Sequence, residues 1–171
     1  MATEKIRTAP ELEEKTAGEK LRIALGADHA GFRVKDTIKK HLQAGDYEVD
    51  DVGTWSEAPV DYPDFAVQVA TRVAEGHADL GILTCGTGIG MSIAANKVGG
   101  IRAALAHDPE VARLARQHND ANVLTLGARG ATSEQAIAIV ESFLAAKFEG
   151  GRHQRRIAKM TELDQERKYN G

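Results

Sequence analysis

The sequence predicts an α/β domain in which one five-stranded parallel sheet is covered by helices on both faces, with a further helix at the C-terminus. Three observations predict it. Five short apolar runs alternate with segments whose apolar residues recur at helical spacing. The turns that follow the first, third and fifth runs are rich in glycine, and the 17 glycines of the chain exceed the usual share of about 7%. The length of 171 residues suits one domain, at roughly 100–200 residues each, and no internal repeat or second domain is visible.

The elements follow in order. Residues 1–20 are polar, lack apolar periodicity and read as a disordered extension, so the folded domain is expected to span 21–171. Leu21–Leu25 is a strand ending at Gly26. Phe32, Val34, Ile38 and Leu42 mark a helix with Lys35, Lys39 and Lys40 on its wet side, stopped by Gly45. Tyr47–Val52 is a weaker strand because of its acidic residues, and Gly53–Pro63 is a loop with two prolines. Phe65, Val69 and Val73 define the second helix. Leu80–Thr84 is a strand, Cys85–Gly90 a loop, and a short helix runs on to about Lys97. Ile101–Ala106 is the fourth strand, and Asp108-Pro109 opens a helix with proline in its first turn. Asn122–Leu126 is the fifth strand and Gly127–Gly130 a loop. Thr132 or Ser133 caps the helix carrying Ile139, Val140, Phe143 and Leu144. After Gly150-Gly151 a final polar helix carries Ile157, Met160 and Leu163.

Composition excludes several classes of function. A lone cysteine can form neither an intramolecular disulfide nor a cysteine-based zinc site. No run approaches the ~18 apolar residues of a membrane span, and the start lacks the apolar core of a signal peptide, so the expected compartment is the cytoplasm with no membrane partner. A net charge of −3 with 5% aromatics argues against nucleic-acid binding. Against that acidic background, Lys147, Arg152, Arg155, Arg156 and Lys159 face only Glu149. Guanidinium forks match phosphate oxygens, so this cluster suits a small anion, with a solvated helix face as the plainer alternative.

Ligands of parallel sheets bind outside the carboxyl ends of the strands. That rule selects Gly26–Gly31, Gly53–Pro63, Cys85–Gly90, the His107-Asp108 corner and Gly127–Gly130. In Cys85-Gly86-Thr87-Gly88-Ile89-Gly90, alternate glycines let the backbone turn tightly and aim several N–H groups one way. Such a loop is expected to cradle an anion and to suit a reactive thiolate at its mouth. A tight turn holding an inert buried thiol is the alternative. A dinucleotide fingerprint fails by one residue, since Met91 stands where its last glycine belongs, and no P-loop is present. Asp28-His29 lies at the same edge. Asp28 can serve as a helix cap or in a site, whereas His29 is placed to bind an anion or shuttle a proton. His118-Asn119 falls at the opposite edge, where a histidine stabilising a helix C-terminus is the simpler reading. His41, His77 and His107 are expected to be surface or structural. No His/Asp/Glu grouping shows metal-ligand spacing, and no metal is expected.

Taken together, Gly26-Ala27-Asp28-His29-Ala30-Gly31-Phe32, Asp61-Tyr62-Pro63, the Cys85 loop, Ala94-Ala95-Asn96-Lys97, Arg116–Asp120, Leu126–Arg129 and Glu149–His153 form one set. In order and spacing the set resembles the type B ribose-5-phosphate isomerases, a family that includes galactose- and allose-6-phosphate isomerases. The resemblance runs from about Leu21 to the final helix. It implies a Rossmann-like three-layer sandwich and an aldose–ketose isomerase without cofactor or metal. It also implies a homodimer or dimer of dimers whose active sites are shared between subunits. By family role Cys85 is the base that moves a proton between C1 and C2, and Thr87 bonds the reacting oxygens. Gly86, Gly88 and Gly90 supply N–H groups to the enediolate. His118 opens the sugar ring, while Asp28, Tyr62 and Asn119 orient hydroxyls. His29, Arg129, Arg152 and Arg156 hold the phosphate. The implied substrate is ribose 5-phosphate, with erythrulose 4-phosphate, allose 6-phosphate or galactose 6-phosphate as alternatives. A non-catalytic nucleotide- or phosphosugar-binding module, resting on the glycine loop and Asp108, is the reading from a different class.

Overall fold

The structure, a computed structural model, describes residues 19–169; most of the extension expected at 1–20 lies outside the described residues. Five strands form one parallel sheet in the order β2-β1-β3-β5-β4: β1 Leu21–Ala27, β2 Tyr47–Asp51, β3 Leu80–Cys85, β4 Ala103–Leu105 and β5 Val123–Gly127. The helices are α1 Phe32–Ala44, α2 Tyr62–Ala74, α3 Ile89–Ala95, α4 Pro109–Asn119, α5 Ser133–Ala145 and α6 Gln154–Tyr169, with a 3₁₀ turn at Gly151–His153 before α6. The Rossmann-like sandwich expected from the sequence is therefore what the chain forms.

The strands read as nearly continuous apolar runs because both sheet faces are covered. Alternation along each strand sorts the core into two. Ile23, Leu25, Leu80, Ile82, Leu124 and Leu126 pack with α1, α4 and α5. Ala24, Leu83 and Val123 face α2 and α3 with Val69, Val73, Met91 and Ala95. Small residues on this second face let α2 approach closely: a Cβ on Gly81 would lie 2.7 Å from Val69 Cγ1.

Four expectations need correction. The loop Gly53–Pro63 is shorter, because Tyr62 and Pro63 already belong to the first turn of α2, where the missing proline N–H has no helical acceptor to lose. Strand β4 covers only Ala103–Leu105, since at the sheet edge it has a single neighbour, β5. Strands β1, β3 and β5 run past the expected Leu25, Thr84 and Leu126, to Ala27, Cys85 and Gly127, where Ala27 pairs with Thr84 and Gly127 with Cys85. Finally, Lys35 is not on a wet face: it is 2% exposed, and its Nζ lies 2.5 Å from Asp51 Oδ1. The choice of cap ahead of α5 resolves to Thr132, whose hydroxyl accepts from the Gln135 N–H at 3.2 Å while the Gln135 side chain accepts from the Thr132 N–H.

Gly31 holds the β1 loop against β3. Its N–H donates to Asp28 Oδ1 at 2.9 Å, and its carbonyl accepts from the Thr84 hydroxyl at 3.0 Å. A Cβ there would sit 2.3 Å from the Thr84 carbonyl oxygen, which belongs to the sheet and cannot step aside. Gly31→Ala is expected to cost about 3 kcal/mol, the upper end for overpacking. Urea denaturation with an unchanged m-value checks this.

Candidate active site

Strands β1 and β3 are neighbours, yet the chain leaves them towards opposite sides of the sheet, β1 to β2 and β3 across β5 to β4. The crevice at such a divergence is where doubly wound sheets hold ligands. The loop after β1 delivers Asp28 and His29 to it, and the loop after β3 delivers Cys85–Gly90. Asp28 is buried; its N–H donates to the Thr84 carbonyl at 3.2 Å and its Oδ1 closes the turn at Gly31. Gly31, at the N-cap of α1, makes no side-chain cap, so Asp28 shapes the loop just before the helix rather than capping it. His29 Nδ1 accepts from the Val60 N–H at 3.3 Å, which puts the ring proton on Nε2 in the neutral form.

Cys85 is 5% exposed, and the Gly88 N–H points at its Sγ across 3.1 Å. Gly88 holds φ +77°, and a Cβ there would meet Leu105 Cδ1 at 2.5 Å, so only glycine supports this turn. The loop after β5 locks the cradle in place. The Ala128 N–H donates to the Cys85 carbonyl at 2.8 Å and the Arg129 N–H to the Gly86 carbonyl at 3.0 Å. The Arg129 guanidinium lies over Gly86, where a Cβ would stand 3.1 Å from Nε. Likewise the Tyr62 ring covers Gly90, at 2.7 Å from a Cβ built there. At both positions a side chain would have to displace the Arg129 guanidinium or the Tyr62 ring. Gly86, Thr87, His107, Gly127, Arg129 and Gln135 border a cavity of about 410 Å³ on this edge. His107 itself pairs with Asp108 at 3.2 Å and is exposed, as a surface histidine.

The remaining expected residues lie elsewhere. His118 and Asn119 end α4, just before the amino end of β5, and Arg152 and Arg156 follow on the 3₁₀ turn and α6. In register, Gly81 and Val123 mark one sheet edge and Cys85 and Gly127 the other. Four steps of ~3.3 Å separate these edges by about 13 Å along the strands. Within one chain, then, Cys85 and His118 are not brought together. His118 instead stacks on His153, with ring centroids 4.3 Å apart and planes 7° apart. Glu149 Oε2 lies 3.7 Å from His118 Nε2 and 3.8 Å from His153 Nε2. The Glu149 N–H donates to the Gln117 carbonyl at 3.0 Å, which ties this carboxylate to α4. Burial, the His118 ring and the Arg152 and Arg156 guanidinium groups push His153 below the usual 6.5, with Glu149 working the other way.

Glu149 and His153 had no assigned role in the sequence reading. Their i,i+4 spacing was visible, but their meeting with His118 across the turn after α5 was not. The three ligand-type atoms lie within 4.8 Å of one another, a grouping that the spacing of these residues along the chain does not show. Because the folded-state value of His153 is depressed, it stabilises the fold above the usual histidine pKa and that contribution is lost as pH falls through the lowered value. Thermal midpoints from pH 7 to 5 should therefore fall less steeply for His153→Phe than for the natural chain.

A doubly wound parallel sheet with a thiol, a glycine cradle and an arginine at its divergence point defines an α/β enzyme domain for a small anionic ligand. The sequence profile described as Ribose/Galactose Isomerase matches residues 23–160. The chain belongs to that family. It is 52% identical over 146 residues to ribose-5-phosphate isomerase B of Escherichia coli, covering 85% of this chain and 98% of that protein. The crystal structure of a ribose 5-phosphate isomerase from Thermotoga maritima superposes with a TM-score of 0.82 at 51% identity, over 84% of this chain and 99% of that one. A Mycoplasma genitalium ribose-5-phosphate isomerase B with bound ribulose-5-phosphate matches with a TM-score of 0.82 at 48% identity, over 85% and 97% of the two chains. Among the described residues no helix is long and apolar enough to cross a membrane.

Proposed function

We propose that this chain interconverts ribose 5-phosphate and ribulose 5-phosphate. The observation that carries the reading is the Cys85 thiol in a cradle with the Gly88 N–H on its sulfur and Arg129 over Gly86, in a member of this family. Cys85 removes the C2 proton of the open-chain aldose as a thiolate and returns it to C1, while a proton passes from O2 to O1. The negative charge that develops on the oxygens meets Thr87 and the N–H groups of Gly86, Gly88 and Gly90. One such preorganised donor contributes roughly 2.7–4 kcal/mol. Asp28, Tyr62 and Asn119 orient hydroxyls, His118 opens the furanose, and His29, Arg129, Arg152 and Arg156 hold the phosphate.

Because His118, Asn119, Arg152 and Arg156 stand at the edge opposite Cys85, this assignment needs a second copy of the chain. A homodimer, alone or paired into a dimer of dimers, lays those four residues over the cradle of its neighbour. Soluble, cytoplasmic action on a diffusible sugar phosphate fits the absence of a spanning helix among the described residues.

The test compares kcat/KM across four-, five- and six-carbon sugar phosphates. Ribose 5-phosphate should lead; a lead for erythrulose 4-phosphate, allose 6-phosphate or galactose 6-phosphate moves the specificity but keeps the chemistry. Tight binding of NAD or AMP with no turnover of any sugar would overturn the reading in favour of a binding module. Arg129→Ala should raise KM by about tenfold or more, the loss of a charge-assisted hydrogen bond of ~1.5–3 kcal/mol, with a smaller change in kcat.

A further inference from the structure

The His118–His153 stack lies outside the cradle and has a defined internal chemistry. Arg152 Nε–H donates to His153 Nε2 at 3.3 Å, so this nitrogen is the acceptor and the ring is neutral with its proton on Nδ1. His153 is 6% exposed, and its own N–H is anchored to the Gly150 carbonyl at 3.0 Å. The ring is thus a fixed, uncharged plate. His118 lies flat on it at the end of α4, with the Glu149 carboxylate 3.7 Å from its Nε2. Two histidines in contact would repel if both took up protons. Here the hydrogen bond from Arg152 fixes the buried ring as the neutral member, and Glu149 lies against the Nε2 atoms of both rings, at 3.7 and 3.8 Å. With planes 7° apart and centroids 4.3 Å apart, a metal ion shared by both rings would have to sit out of the plane of at least one.

We propose that His153 is a positioning residue for sugar-ring opening: a buried, anchored plate that fixes the plane of His118. This rests on the isomerase reading above. In the step served, the anomeric hydroxyl gives up its proton, the bond from C1 to the ring oxygen breaks with its electron pair left on that oxygen, the ring oxygen takes a proton, and the C1 carbonyl forms. His118 carries the proton between the two oxygens, so no other reactant is needed. Orientation is what such a transfer depends on, and a small misplacement of the transferring group costs about 100-fold.

Ring opening is separable from isomerisation when Cys85 is absent. In a full-length Cys85→Ala background, ribose 5-phosphate labelled with ¹³C at C1 reports opening as exchange between its α and β anomers, read by magnetisation transfer. The background protein should accelerate exchange, and adding His118→Ala should return it to the buffer rate. Adding His153→Ala should slow it by about 100-fold, while adding His153→Phe, which keeps a flat neutral plate, should recover most of the loss. Exchange in the His153→Ala protein equal to background, or phenylalanine no better than alanine, overturns the proposal. So does exchange that depends on added zinc and is abolished by a chelator, which would make the cluster a metal site. A natural chain that isomerises while its background variant leaves exchange untouched keeps the isomerase reading and removes this role; a natural chain inactive on every sugar phosphate removes both.

Discussion

Cys85→Ala is expected to lower kcat for ribose 5-phosphate isomerisation by on the order of 10²–10⁴, the usual contribution of a positioned base. The fold should survive, because the change removes one atom and leaves the backbone locks of the cradle, Ala128 N–H to the Cys85 carbonyl and Arg129 N–H to the Gly86 carbonyl, in place. A stability loss near 1 kcal/mol is the expected scale for such a truncation. The sharper form of the experiment uses two inactive proteins. His118→Ala is expected to be inactive for a different reason, and in the proposed dimer each site takes Cys85 from one subunit and His118 from the other. Mixing the two variants under exchange creates heterodimers with one doubly damaged site and one intact site. Half of a statistical mixture is heterodimer, so activity should return to about a quarter of the natural level. Activity that stays at the level of the separate variants would mean that each chain uses its own His118.

Which parts of this arrangement were legible in the sequence follows from the range of the interactions involved. The central strands β1, β3 and β5 were legible because burial on both faces makes them mainly apolar runs, and their alternation with helices makes the sheet parallel. Boundaries slipped where a neighbour decided the length, as at β4, which has one partner, and at Tyr62, which the two loop prolines drew out of α2. The cradle was legible because its glycines, thiol and following helix are contiguous. The His153 stack was not, since it joins the end of α4 to the 3₁₀ turn before α6, 35 residues further along the chain. The most instructive misreading concerns charge. Lys35 falls on the polar side of α1 by sequence, and the acidic residues of β2 looked like a weakness in that strand. Each is explained by the other: Asp51 ends β2 where α1 brings Lys35 and Lys39 to it, at 2.5 and 2.9 Å. Periodicity measures whether a residue is polar, not whether its partner waits on the next element.

That pair carries the largest stability effect expected outside the backbone. Lys35 is 2% exposed, and the Asp51 side chain is 8% exposed. Burial works to raise the Asp51 pKa, but hydrogen bonds from Lys35, Lys39 and the Gly53 N–H outweigh it and hold the carboxyl below 3.8. Asp51→Asn leaves the Lys35 ammonium buried without its anion, a defect that costs roughly 3–5 kcal/mol in proteins. The lower end, about 3 kcal/mol, is expected here because Lys39 stays partly in water, and at ~2–4 °C per kcal/mol the midpoint should drop by about 6–12 °C. By contrast, Asp46→Ala removes only the exposed Lys20–Asp46 pair, whose side chains are 53% and 89% exposed, and should change stability by less than about 1 kcal/mol. Replacing both members with apolar residues, Lys35→Met with Asp51→Leu, should recover much of the loss, because the penalty comes from the unpaired charge and not from absence of the pair. The pH dependence separates this from a packing defect. A carboxyl with a lowered folded-state value stabilises the fold above its ordinary pKa, and that contribution disappears as pH falls through the lowered one. The gap in midpoint between the natural chain and Asp51→Asn should therefore be full at neutral pH and close as the solution is acidified below about pH 4. A gap that stays constant down to pH 3 would mean that Asp51 acts through its shape and not its charge.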